Sequence, residues 1–130
     1  MSADNVADVL DAAADYIAQP GKWATGVFVN DTGCRCALGA IAWAVNQDDV
    51  DSDPFYFALG IRVSSYFADY LISEVGATRC VFGNDEDEPV HTNVLETVGG
   101  FNDEQTSAAP VVEALRGAAS QWRQQQAVAA

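Results

Sequence analysis

The segment DNVADVLDAAADYIA, residues 4–18, decides the fold class, because its apolar residues recur at the spacing of one helical face. They lie three or four positions apart, which is the period of an α-helix and not the two-residue alternation of a strand. These residues are Val6, Val9, Leu10, Ala13 and Ile17. The other positions include several aspartates, so the segment predicts an amphipathic helix from Asp4 to Ala18, ended by Pro20-Gly21.

The same helical period continues along the chain, separated by polar breaks. It predicts further helices at about 35–47, 54–76, 89–98 and 107–124. Between the first two helices, turn residues and a short apolar run predict an ordered loop or short extended segment at 23–35. The predicted fold class is all-α: a compact single-domain bundle of about five helices over residues 1–124, with residues 125–130 as a frayed C-terminal tail.

Glycines within the helical segments carry two structural expectations. Gly39 lies inside the second helix among other small residues, so we expect the backbone of a neighbouring segment to approach it closely. Gly99-Gly100 follows the apolar part of the fourth helix and is expected to close it. The third helix is apolar nearly all round, which predicts a position at the centre of the fold.

Charge is the most unusual bulk property of the chain. Its 130 residues include 19 acidic and 6 basic ones, for a formal net charge of −13 at pH 7. Such a surface repels nucleic acids and anionic membranes. It suits a protein partner with a basic patch, a cation or a salty cytoplasm, and it is equally explained by solubility alone. Asp8, Asp11 and Asp15 share one side of the first helix, which makes them the candidate partner-binding residues.

The sequence predicts a cytoplasmic protein. No basic N-terminal segment leads into an apolar run, as a secretory signal requires. The longest apolar stretch, residues 55–72, is interrupted by polar and charged side chains, so no membrane association is expected. In a reducing compartment, free thiols or a metal site are favoured over disulfides.

The three cysteines leave three interpretations open. In the first, Cys36 in the first turn of the second helix is a nucleophile, with His91 as its base and Asp103 as an orienting group. In the second, a zinc ion is held by Cys34, Cys36, Cys80 and His91, although the Cys34-x-Cys36 spacing is tighter than usual for zinc. In the third, which we favour, Cys36 is a small buried apolar residue, and no catalytic residue, metal or cofactor is required.

Two polar clusters accompany these residues. The acidic run at 85–88 lacks the alternating ligands and central glycine of a calcium loop, so it is interpreted as a solvated turn. Asn102-Asp103 is interpreted as a capping turn before the last helix.

Four short motifs resemble an uncharacterised family of small actinobacterial and actinophage proteins, a domain of unknown function. They are VLDAAADYI at 9–17, PGKW at 20–23, GCRCALGAIAWA at 33–44 and FNDEQTSAAPVVEALRGAA at 101–119. The family pattern has a single cysteine before Gly-Ala, matched here by Cys36, and an aromatic residue before Asn-Asp, matched by Phe101 and Asn102-Asp103. Cys34 and Cys80 have no counterpart in that pattern. The resemblance implies a compact helical fold and a bacterial or phage cytoplasmic setting, and it implies no established activity.

Together these features predict a small acidic non-enzymatic binding or regulatory protein that contacts a host protein through its acidic surface. Three alternatives remain: a cysteine-dependent enzyme using Cys36 and His91, a zinc-stabilised module, and a mimic of DNA in which rows of carboxylates stand in for phosphates.

Overall fold

The computed structural model describes residues 5–46, 53–82 and 91–129. This part of the chain contains five α-helices: α1 (Val6–Ala18), α2 (Ala37–Val45), α3 (Ala58–Tyr70), α4 (Val94–Glu104) and α5 (Ala109–Ala129). Two short strands, β1 (Val81–Phe82) and β2 (His91–Thr92), pair antiparallel. The predicted all-α fold of about five helices is confirmed.

α1 packs against α2, α3 and α5. The side chain of Asn5 caps its first turn by accepting a hydrogen bond from the backbone N–H of Asp8 at 2.9 Å. The predicted apolar stripe is buried against α2 and α5, and Pro20 follows directly after the last turn. The first helix and its end are therefore as the sequence predicts, apart from Asp4, which lies outside the described residues.

The predicted third helix is divided into three pieces. A 3-10 turn at Pro54–Tyr56 precedes α3, and a π-helical turn at Leu71–Val75 follows it. The break falls at Phe57, whose backbone is extended, because the 3-10 turn folds back onto α3. Gly60 permits this contact, since a Cβ there would overlap the carbonyl of Pro54.

α3 contacts all four other helices, as expected of a central element, but only one of its sides is buried. The buried side includes Val63 and Phe67, whereas the side chain of Ile61 is 46% exposed. α3 is therefore central, as expected, but the apolar residues around its circumference are not all buried.

α4 corrects the prediction that Gly99-Gly100 closes the fourth helix. The helix begins after Asn93, whose side chain accepts a hydrogen bond from the backbone N–H of Glu96 at 3.1 Å, and continues through both glycines to Glu104. Val98 before the glycine pair and Phe101 after it are both buried in the core. Burial of this continuous apolar face outweighs the cost of about 1 kcal/mol for each glycine.

α5 extends further than predicted. Residues 125–129, assigned from the sequence to a frayed tail, form the last part of this helix, and Ala130 lies outside the described residues. Gln and Ala have high helix propensity, which explains the continuation beyond Gln124. Despite its length, neither α5 nor any other described helix has the continuous apolar character needed to cross a bilayer.

The segment between α1 and α2 is an ordered loop. The backbone N–H of Arg35 donates to the carbonyl of Lys22 at 2.7 Å, and that of Ala24 donates to the carbonyl of Arg35 at 3.0 Å. The hydroxyl of Tyr16 donates to the carbonyl of Gly33 at 2.6 Å, which fastens the loop to α1. The predicted ordered loop is thus confirmed.

Gly39 brings this loop onto the start of α2. A Cβ built at Gly39 would overlap the carbonyl group of Phe28, so only glycine allows the two backbones to approach this closely. The expected close approach at Gly39 is confirmed, and its consequence is that residues 26–29 lie beside α2.

We expect Gly39→Ala to lower the free energy of unfolding by more than about 2 kcal/mol, because the added methyl group displaces the loop backbone. The matched control is Gly100→Ala, which makes the same chemical change inside α4, where an added Cβ contacts no described residue. It should raise the free energy of unfolding by about 0.5–1 kcal/mol. Urea denaturation followed by circular dichroism measures both, and equal effects would contradict the assignment.

Candidate functional site

The side chain of Asn102 joins three parts of the chain that are distant in sequence. Its Oδ1 accepts hydrogen bonds from the indole Nε1 of Trp23 at 2.9 Å and from the backbone N–H of Ala37 at 3.1 Å. Its Nδ2 donates to the carbonyl of Ala24 at 3.0 Å and to Oδ1 of Asp103 at 3.1 Å. Asn102 is fully buried, and its amide makes the four hydrogen bonds that an amide readily forms.

This arrangement corrects the interpretation of Asn102-Asp103 as a capping turn before the last helix. Both residues lie in the last turn of α4, and Asn102 instead caps α2, since Ala37 is the first residue of that helix. The first N–H groups of a helix have no partner within it, and here a side chain 65 positions away supplies one. Asp103 extends the network by accepting from the backbone N–H of Gly26 at 2.9 Å.

A cleft of about 650 Å³ opens between the loop at 26–29 and the exposed side of α4. Cys36 and Leu38 at the start of α2 line it on one side. Its volume lies in the range of small-ligand sites in proteins. The Asn102 network therefore positions both walls, because it holds α4, the loop and α2 together.

The α4 wall of the cleft consists of Leu95 at its rim and one regular helical stripe. The residues of the stripe are Glu96, Gly99, Gly100 and Asp103, which follow the i, i+3, i+4, i+7 spacing of a single face. A Cβ at either glycine would contact no described residue, and neither glycine has a positive φ. The wall is therefore bare backbone in the middle with a carboxylate at each end.

Cys36 lines the cleft, and its side chain caps the first turn of α2. Its Sγ accepts a hydrogen bond from the backbone N–H of Gly39 at 3.4 Å, and the residue is only 4% exposed. Burial raises the pKa of the Cys36 thiol, the backbone N–H groups of Gly39 and Leu38 oppose this, and the negative charge of Asp103 raises the pKa further. Asp103, predicted as an orienting group, therefore disfavours the thiolate.

A family model described as a family of unknown function, DUF6197, matches residues 1–121. This chain belongs to that family. The match covers the whole cleft, from Gly26 to Asp103, and ends within α5. No curated protein and no solved structure matches the chain.

The side chain of His91, the predicted base, lies outside the described part of the molecule. The same holds for the acidic run at 85–88. Of the predicted catalytic residues, the structure brings Cys36 and Asp103 close together, and the negative charge of Asp103 raises the pKa of the Cys36 thiol.

The proposed zinc ligands are not gathered within the described residues, where no three Cys, His, Asp or Glu side chains form a metal-binding group. Cys34 Sγ donates to the carbonyl of Gly21 at 2.8 Å. Cys80 is half-buried beside α4, where its backbone N–H donates to Oγ1 of Thr97 at 3.2 Å. Each described cysteine thus has its own local surroundings.

The aspartates predicted to bind a partner are paired with arginines of α5. Nη2 of Arg116 lies 2.8 Å from Oδ1 of Asp15. Nη2 of Arg123 lies 2.9 Å from Oδ1 of Asp8, and its Nη1 lies 2.6 Å from Oδ2 of Asp11. Such exposed pairs contribute about 1 kcal/mol or less each. Partner binding by this face stays a prediction, and so does DNA mimicry, but any basic partner has to compete with two internal arginines.

The glycine stripe is the part of the site that sequence reasoning missed, because Gly99-Gly100 was interpreted as a helix end. The sequence does contain a signal that the helix continues through the glycine pair. Val94, Val98 and Phe101 keep the helical period across the glycine pair, which places Glu96 and Asp103 together on the opposite side.

We expect Asn102→Ala to lower the free energy of unfolding by about 3 kcal/mol. The substitution leaves the buried N–H of Ala37 and the part-buried polar groups of Trp23 and Ala24 without their partner. The control is Asn93→Ala, which removes a single capping hydrogen bond and should cost about 1 kcal/mol. Urea denaturation gives both values, and hydrogen exchange should show faster exchange of the Ala37 amide only in the first variant. Equal destabilisation of the two variants would contradict this role.

We expect Cys36 to be alkylated slowly by iodoacetamide at pH 7–8, since burial and a raised pKa both lower the reactive thiolate fraction. The rate should rise only at a higher pH than for an exposed cysteine, because burial raises the pKa of the Cys36 thiol. Half-buried Cys34 and Cys80 serve as internal references, and peptide mass spectrometry resolves the three sites. Alkylation of Cys36 at pH 7 as fast as that of the unfolded chain would contradict the structural role.

Proposed function

We propose that this protein is a non-catalytic binding or regulatory protein that receives part of a protein partner in the cleft beside α4. One observation carries the proposal: α4 keeps two adjacent glycines where an added methyl group would contact no described residue. Each glycine weakens a helix by about 1 kcal/mol relative to alanine. Among the described residues, neither a packing contact nor a positive φ requires glycine at these two positions. A ligand that lies directly against the backbone gives these positions a reason to lack side chains.

The chemistry of the cleft supports binding over catalysis. Its sulfur belongs to a capping residue whose pKa is raised, and the carboxylate of Asp103 is held by the loop backbone at Gly26. A nucleophile needs a lowered pKa or an adjacent base, and the described lining of the cleft supplies neither for Cys36.

The net charge of −13 supports a basic partner, because long-range attraction accelerates association with a cationic surface and falls as salt rises. The setting that we propose is the cytoplasm, or the host cytoplasm if the protein is phage-encoded. These parts of the proposal come from the sequence and its family resemblance.

The proposal is tested by titrating 15N-labelled protein with a library of fragments and short peptides that contains neutral, anionic and cationic members. Saturable shifts of the Gly26, Gly99 and Gly100 amides would support the cleft as the binding site. Gly100→Leu fills the cleft from the α4 wall and should abolish these shifts, whereas Ser120→Leu on the exposed face of α5 should not. Absence of any binder, or shifts confined to the α1 face around Asp11, would overturn the proposal.

A further inference from the structure

The two carboxylates of the α4 stripe have a defined separation. Glu96 and Asp103 lie seven residues apart on one face, and a helix rises about 1.5 Å per residue, so their Cα atoms are separated by roughly 10 Å along the axis. The bare backbone of Gly99 and Gly100 lies between them. A ligand that follows this stripe therefore meets negative charge, then open backbone, then negative charge.

The rims of the cleft add an apolar component. Val27 on the loop is 46% exposed and Leu95 on α4 is 44% exposed, and both line the cleft. Apolar side chains on opposite rims favour a ligand with an apolar group between them.

The negative charge of the residues that line the cleft favours a positively charged ligand. The described residues that line the cleft include two carboxylates and no Lys or Arg. Oδ1 of Asp103 is bound by two neutral donors, the backbone N–H of Gly26 and Nδ2 of Asn102, so neither donor offsets its charge. Phosphates are repelled by this lining, and a second copy of the chain would bring like charges together across the interface.

We propose that the occupant is an extended basic segment of a protein partner, with two Lys or Arg residues three positions apart that pair with Glu96 and Asp103. The inference rests on the proposed function and names its ligand class. In a polyproline II segment, residues i and i+3 lie on the same edge and about 9 Å apart, which matches the separation of the two carboxylates. The two residues between them lie over the glycine backbone and the apolar rims.

The probe for the experiment is the capped peptide acetyl-Arg-Leu-Pro-Arg-amide, in which proline favours the extended conformation. Its matched controls are acetyl-Gln-Leu-Pro-Gln-amide, which lacks the charges, and acetyl-Leu-Arg-Arg-Pro-amide, which keeps the charges but brings them together. Amide shifts of the labelled protein give the site and the dissociation constants. We expect the first peptide to bind at the cleft at least tenfold more tightly than the uncharged control and several-fold more tightly than the respaced one.

Protein variants separate local pairing from general attraction. Glu96→Gln and Asp103→Asn each remove one charge while keeping a hydrogen-bonding amide, and each should weaken binding of the probe by about three- to fivefold, as expected for one exposed ion pair. The control variant Asp69→Asn removes the same charge from the exposed surface of α3 and should leave the affinity unchanged. Raising the salt concentration should weaken the binding of the charged probe but leave the binding of the uncharged peptide unchanged.

Each other outcome overturns a specific statement. Equal binding of the charged and uncharged peptides at the cleft would overturn the basic-segment inference and leave the proposed function intact. If Asp69→Asn weakened binding of the probe as much as Glu96→Gln does, or if the respaced peptide bound as tightly as the probe, net charge alone would explain the attraction. Either result would also overturn the inference. Failure of every library member and peptide to shift the cleft amides would overturn the proposed function itself.

Discussion

The buried amide of Asn102 is the interaction on which the cleft depends. It binds the indole of Trp23, the carbonyl of Ala24 and the first N–H of α2, and thereby joins α4 to a loop and a helix that precede it by more than 60 residues. A single group has to donate and accept at this point, which excludes Asp and Leu of similar size. Because the fully buried amide of Asn102 has a partner for each of its polar atoms, the network costs little to bury and specifies one arrangement of the three segments.

Glycine serves two opposite purposes in this molecule. At Gly39 the missing side chain is replaced by protein, since the backbone of Phe28 occupies the space. At Gly99 and Gly100 no described residue occupies it. The first position is explained by the fold alone, whereas the second pair weakens its helix without a packing contact among the described residues, and we propose above that it accommodates a ligand.

Local patterns predicted the helices well and the site poorly, for a physical reason. The periodic apolar residues of α1 and the turn at Pro20-Gly21 act within a few residues of each other, so the sequence alone predicted the first helix and its end. The hydrogen bonds of Asn102 and the ion pairs between Asp8 and Arg123 join residues far apart in sequence, and such contacts have no local signature. The path of α4 through Gly99 was mispredicted because the turn preference of glycine was weighed above the continuing apolar period.

Trp23 makes the cleft region observable by optical spectroscopy without an added label. Its indole is anchored to Asn102 beside the segment that forms one wall, whereas the rings of Trp43 and Trp122 pack against Tyr16 and Tyr66, with centroids 4.8 and 5.0 Å away. Replacing the latter two tryptophans with phenylalanine would leave one emitter, whose spectrum reports the polarity and hydrogen bonding of the buried amide. The protein thus contains its own fluorophore for following movements of the loop against α4.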